Sequence, residues 1–114
     1  MTLTTFLSTL QENPTTLAFT DTIAVIEDNY IFTPTAFKNG NQPNAAGENS
    51  GSCKIFAFAK AQQLSPEETL SCFGTYYTED VLKNPEGTDH QNIRNFMIHG
   101  WDGIAFEGDA LQLK

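Results

Sequence analysis

A chain of 114 residues suits a single domain and is long enough to bury a core without metals or disulfides. Its net charge is -8, fourteen acidic residues against six basic ones, and the basic ones (Lys38, Lys54, Lys60, Lys83, Arg94, Lys114) are scattered. Nucleic-acid binding draws most of its affinity from phosphate neutralisation by Lys and Arg. The composition therefore argues against DNA, RNA or an anionic membrane as the main partner and leaves a basic protein partner open.

Charged residues make up only 18% of the chain, so its surface relies on neutral Thr, Ser, Asn and Gln. Nine Phe, three Tyr and one Trp supply bulky core material. Two cysteines, Cys53 and Cys72, are too few for a disulfide scaffold, and their apolar neighbours predict packed, reduced thiols. The longest apolar run, Ile55 to Ala59, is far too short to span a membrane. Met1 to Leu10 has neither a basic n-region nor a continuous apolar h-region, so no Sec signal peptide is expected there.

In chain order, Leu3, Phe6, Leu7 and Leu10 follow a helical period, with Thr2 as cap and Asn13-Pro14 as stop. Phe19, Ile23, Ile26 and Tyr30 form the stripe of a second helix reaching about Asn29, with Asp21 favouring its start. Ile31 to Thr33 favour a strand that Pro34 interrupts. Asn39 to Ser52, with four Asn, three Gly and one Pro, reads as a loop.

Cys53 to Gln63 suits a central helix, apolar on nearly every face. Ser65-Pro66-Glu67-Glu68 is a capping box for another helix, which Gly74 can end. Tyr76 to Lys83 reads as helical, with Thr78 as cap. Thr88-Asp-His-Gln91 reads as a second capping box, followed by an inner stripe of Ile93, Phe96, Met97 and Trp101 and a stop at Gly100. Ile104–Phe106 and Ala110–Leu113 are short strands expected to pair with Ile31–Thr33. The fold class is a mostly helical α+β single domain of about five helices with a small antiparallel sheet of two to three short strands.

The Asn39–Lys54 stretch is the strongest candidate for a functional surface, because a long polar loop is uncommon in a compact domain. Its end, Gly51-Ser52-Cys53-Lys54, resembles an anion-binding helix start, in which backbone N–H groups, the Ser52 hydroxyl and Lys54 hold a phosphate or carboxylate. Ordinary capping by Ser50 or Ser52 is the commoner use of such residues. Asn39, Asn44 and Asn49 are candidates for ligand binding, against the reading that amide side chains simply hold the loop together.

Cys53 beside Lys54 at a helix start is the environment of an activated thiol, with His90 or His99 as base. A packed cysteine is the bland alternative. His90 and Arg94 lie one turn apart and are further candidates, although Arg94 also suits a structural role on a carboxylate or a loop carbonyl. There is no His-Glu-x-x-His and no Cys-x-x-Cys, and neither metal nor cofactor is expected.

Four segments together resemble the HopJ family of type III secretion effectors. They are Phe37-Lys-Asn-Gly40, Asn44-Ala-Ala-Gly-Glu-Asn-Ser-Gly-Ser-Cys-Lys54, Leu70-Ser-Cys-Phe-Gly-Thr-Tyr-Tyr77, and Asp89-His-Gln-Asn-Ile-Arg-Asn-Phe96 followed by Gly100-Trp101. The resemblance runs from about Leu17 to Leu111. It implies a protein made in the bacterial cytoplasm and exported by a type III apparatus into a host cell, and the Ser/Thr-rich start is compatible with such an export signal. It implies no reaction, substrate or catalytic set. The reading preferred on these grounds is a binding or effector module for a small polar ligand or a host protein. The alternatives are a small hydrolase- or transferase-like enzyme using Cys53 with a histidine, and a cytosolic housekeeping protein that is not exported.

Overall fold

The computed structural model describes residues Met1 to Lys114. Its first helix, α1 (Leu3–Glu12), starts where the Thr5 N–H donates to the Thr2 hydroxyl at 3.1 Å. It buries Phe6 and Leu10, and Asn13-Pro14 turns the chain through a short 3-10 segment. Helix α2 (Phe19–Asn29) is capped by the Asp21 carboxylate, which accepts from the Ala18 N–H at 2.9 Å. Strand β1 (Tyr30–Phe32) follows and ends before Pro34.

Part of the stretch read as a loop is ordered pairing. Strands β2 (Phe37–Asn39) and β3 (Gln42–Asn44) form an antiparallel hairpin through Gly40-Asn41. Gly40 has φ +59°, the positive value that the first central residue of a tight hairpin turn demands. Pro43 is tolerated because β3 is an edge strand. Helix α3 (Ser50–Ala61) begins three residues before the expected start at Cys53. It is the central element, burying Cys53, Ile55, Phe56, Phe58 and Ala59. The Phe56 ring lies 5.0 to 6.0 Å from those of Phe37, Phe73 and Phe96.

Helix α4 (Pro66–Ser71) carries the expected capping box: the Glu68 N–H donates to the Ser65 hydroxyl, and the Ser65 N–H to the Glu68 carboxylate. Beyond Gly74, residues Tyr76–Val81 form a π-helical turn, marked by the Leu82 N–H donating to the Tyr77 carbonyl. Thr78 does not cap it; its hydroxyl donates back to the Gly74 carbonyl. The second expected capping box does not form either. Helix α5 (Gln91–His99) has His90 as its N-cap in a left-handed conformation, and the Gln91 amide donates to the Thr88 carbonyl instead. Ile93 and Phe96 face inward as expected, but Met97 is exposed.

Strands β4 (Ile104–Phe106) and β5 (Leu111–Leu113) do not join one sheet. β5 pairs with β1, whereas β4 pairs with β2, giving a two-stranded sheet and a separate three-stranded one of order β3-β2-β4, all antiparallel. The break after Phe32 lets β1 and β2 choose different partners.

Both cysteines are buried and unbridged. Burial, and next the nearby Glu68 carboxylate, push the Cys72 thiol from 9.0 up to about 12. The folded chain thus holds this proton more tightly than the unfolded one. Stability from this group is intact below pH 9.0 and falls as pH rises toward about 12, at no more than about 1.4 kcal/mol per pH unit. Urea titrations across that window should show the decline, and Cys72→Ala should flatten it.

Candidate functional site

Two helix starts converge on one cleft of about 470 Å³. The first turn of α3 contributes Gly51 and Ser52, with Asn49 before it; the first turn of α5 contributes Gln91, Asn92 and Ile93, with His90 before it. Phe19, Phe73 and Tyr76 form an aromatic wall, and Gln42 of the hairpin completes the rim.

Both N-cap residues are left-handed and neither is glycine: Asn49 has φ 49° and His90 φ 51°. Such backbone costs on the order of 1 kcal/mol and persists only where the surroundings impose it. Neither side chain caps its own helix. The Asn49 amide donates instead to the Asn44 side-chain oxygen at 2.7 Å, and the His90 Nε2 lies 3.1 Å from Asp80. The N–H groups of Ser50, Gly51, Ser52, Gln91, Asn92 and Ile93 consequently have no acceptor within the chain. Helix starts of this kind carry partial positive charge.

A buried amide network holds the two helix starts together. The Asn92 side chain donates to the Asn44 oxygen at 3.0 Å and accepts from the amides of Asn44 and Asn39. Asn39 also donates to the Asn92 carbonyl at 2.7 Å. With two acceptors facing its nitrogen, the Asn39 amide cannot be reversed, and its Oδ1 is left buried without a partner. Asn39 and Asn44 are thus structural: they tie the hairpin to α5 and lie beneath the cleft rather than in its lining.

The remaining candidates separate. Ser52 and His90 line the cleft, and the Ser52 hydroxyl makes no hydrogen bond within the chain. The His90 ring packs against Tyr76, 5.2 Å between centroids. Lys54 turns away to Glu27, 3.3 Å distant, and lies over the Phe32 ring. Arg94 is held by Asp89 at 2.7 Å and by the carbonyls of Asn84 and Pro85, the structural role that its many donors suit. That bond to Arg94 keeps the Asp89 carboxyl below its usual range.

Cys53 is buried, and its thiol points at the Thr35 carbonyl rather than at a histidine. Burial raises its pKa, the Thr35 contact and Lys54 only partly opposing the shift. His99 sits beside Gly40 and Gly103 at the hairpin turn. In the native protein Cys53 should react with a neutral disulfide reagent far more slowly than in urea; equal rates would reinstate it as a nucleophile.

Several cleft residues escape sequence reasoning, namely Phe19, Gln42, Phe73, Tyr76, Gln91 and Asn92. One signal was legible: Gly40-Asn41 between short runs marks a tight hairpin, which would have placed Gln42 and Asn44 opposite Asn39 and Phe37. Nothing local pointed to Asn92.

No helix is long and apolar enough to cross a membrane, and no group of three or more His, Cys, Asp or Glu side chains is placed to hold a metal ion. No curated protein matches the chain. The fold is similar to the crystal structure of the unknown-function protein VPA0580, with 59% identity and a TM-score of 0.98 over 100% of this chain and 95% of that one. A sequence model described as HopJ type III effector protein matches residues 3–111, nearly the whole length, so the chain belongs to the HopJ type III effector family.

Proposed function

We propose that this protein is a recognition module of a type III effector and that it binds a small polar ligand in the cleft between the starts of α3 and α5. The observation that carries this reading is the character of the lining. In a chain of net charge -8, the cleft contains no carboxylate. It presents instead unpaired backbone N–H groups, the free Ser52 hydroxyl and the open amide oxygens of Asn49, Gln42 and Gln91, beside an aromatic wall. Donors and acceptors side by side with ring faces suit sugars and small anions. Two strained N-cap residues keep the donors open, and their fixed geometry lowers the entropy lost on binding.

A thermal-shift screen of small anions and sugars tests this. A ligand at about 100 times its Kd stabilises by about 2.7 kcal/mol, which moves the Tm by several degrees. Ser52→Glu, which sets a carboxylate in the cleft, should abolish the shift while leaving the unliganded Tm nearly unchanged. A screen without any shift, or a shift that survives Ser52→Glu, overturns the proposal.

Export into a host needs its own test. Residues 1 to 14 include α1, whose Phe6 and Leu10 are core residues, so deleting them would unfold the protein. Fusing them to a reporter avoids this. Secretion of the fusion supports export; retention, with secretion of a known effector intact, favours a protein that stays in the cytoplasm.

A further inference from the structure

Three amide side chains line the cleft between α3 and α5, those of Gln42, Asn49 and Gln91. Each has its nitrogen tied to the fold. The Gln42 Nε2 donates to the Pro43 carbonyl at 3.3 Å and the Gln91 Nε2 to the Thr88 carbonyl at 2.6 Å. The Asn49 Nδ2 donates to the Asn44 Oδ1 at 2.7 Å. The Asn44 amide is itself fixed, because its nitrogen donates to the carbonyls of Phe37 and Gln42. Reversing any of the three cleft amides would set oxygen against oxygen. All three therefore keep the same end free, an oxygen that serves as a fixed acceptor.

These acceptors lie beside donors. The opening N–H groups of α3 and α5 are unpaired and the Ser52 hydroxyl is free. Helix starts carry partial positive charge, which disfavours a cation. The three amide oxygens disfavour a bare anion, since sulfate or a carboxylate has only acceptors to offer them. No carboxylate, lysine or arginine lines the cleft to offset a full charge of either sign. A neutral ligand rich in hydroxyl groups satisfies both sets, because each hydroxyl donates and accepts.

The aromatic wall adds a requirement of shape. Tyr76 is 42% exposed. Its ring is braced by Phe19 in an edge-to-face contact, 5.1 Å between centroids, and by the His90 ring at 5.2 Å. The face of an aromatic ring is negative and attracts weakly positive C–H groups. A braced tyrosine offers that area with little loss of side-chain freedom. A pyranose has hydroxyls around its edge and C–H groups on its faces. We infer, on the reading that the cleft is a ligand site, that it takes a neutral pyranose sugar. The hydroxyls engage the three amide oxygens, Ser52 and the open N–H groups, and one C–H face rests on Tyr76. The volume of about 470 Å³ falls within the range of about 300–1,000 Å³ usual for small-molecule sites.

The test is a two-dimensional NMR titration of the isotope-labelled full chain. The probes are glucose, galactose, mannose and N-acetylglucosamine, each as the free sugar and as its methyl glycoside. Sulfate, acetate and phenylalanine serve as an inorganic anion, a carboxylate and a zwitterion with a ring. At least one neutral sugar should shift the amide signals of the first turns of α3 and α5 saturably, and more tightly than each comparison probe. Binding of the free sugar alone identifies a metabolite as the source. Binding of the methyl glycoside, whose anomeric oxygen is substituted as in a chain, identifies the end of a glycan. Gln91→Leu removes one acceptor at an exposed position, and Tyr76→Leu removes the ring face. Each should weaken binding of that sugar by about tenfold, with the far-UV spectrum of the folded chain retained. Sulfate, acetate or phenylalanine binding as tightly as every sugar would overturn the inference and leave the cleft a ligand site. Binding of no probe at all would overturn both. Undiminished sugar binding in either variant would overturn the inference as well.

Discussion

Gly74→Val is expected to lower stability by about 3–5 kcal/mol, enough to unfold much of the protein at 37 °C. Two independent costs combine. Gly74 has φ +61°, a left-handed conformation that costs an L-residue roughly 1–2 kcal/mol and a β-branched one more. A Cβ there would also lie 2.7 Å from the Phe19 N and 3.2 Å from the Ala18 carbonyl carbon. Those are backbone atoms at the start of α2 and cannot rotate aside, so overpacking adds about 1–3 kcal/mol. Against a typical total of about 5–15 kcal/mol this is a large fraction. Urea denaturation with a linear m-value checks it, and Gly74→Ala should show a smaller loss in the same direction. A Gly74→Val protein with a wild-type midpoint would mean that the close approach of Gly74 to α2 is not a feature of the native state.

Asn44→Leu, nearly isosteric, is expected to cost about 3–5 kcal/mol by a different route. Asn44 is buried, and its side-chain oxygen accepts from Asn49 at 2.7 Å and from Asn92 at 3.0 Å. Its amide nitrogen donates to the Asn92 oxygen and to the carbonyls of Phe37 and Gln42. Leucine removes all of these, leaving the buried Asn92 amide without its acceptor and the oxygens that Asn44 served with one donor fewer, each buried orphan costing about 1–3 kcal/mol. Removing both partners at once leaves fewer orphans. The double variant Asn44→Leu/Asn92→Leu should therefore lose clearly less than the sum of the single variants, a coupling that a double-mutant cycle measures. Because Asn49 is held by Asn44, the single variant should also loosen the start of α3 and weaken any ligand bound in the cleft. Strict additivity would show that the four asparagines do not act as one network.

The elements were largely legible because helix formation is decided within about one turn of chain. Thr2, Asp21 and the Ser65–Glu68 box mark their helix starts by contacts three residues long. The pairing of strands was not legible: Phe37 meets Phe106, more than half the chain away, and three-residue strands carry too little pattern to choose partners. Residues Thr88 to Gln91 fit a capping box equally well, yet the His90 ring is drawn to Asp80 and Tyr76, contacts ten and more residues away, and the local motif gives way.

The Asn39–Lys54 region shows the same division. By itself the sequence determined that this stretch is polar, that it leads into a buried central helix and that it carries half of the family's recognisable segments. Only the tertiary structure decided what its residues do. Asn39 and Asn44 became internal supports once α5 brought Asn92 against them; Lys54 was drawn off by Glu27; Cys53 was enclosed by the core. Asn49 and Ser52 joined a cleft whose other lining comes from residues as distant as Phe19 and Ile93. The reason is physical: a helix cap answers to its nearest neighbours, whereas a cleft and a buried amide network are made of groups that only the folded chain brings within hydrogen-bond reach.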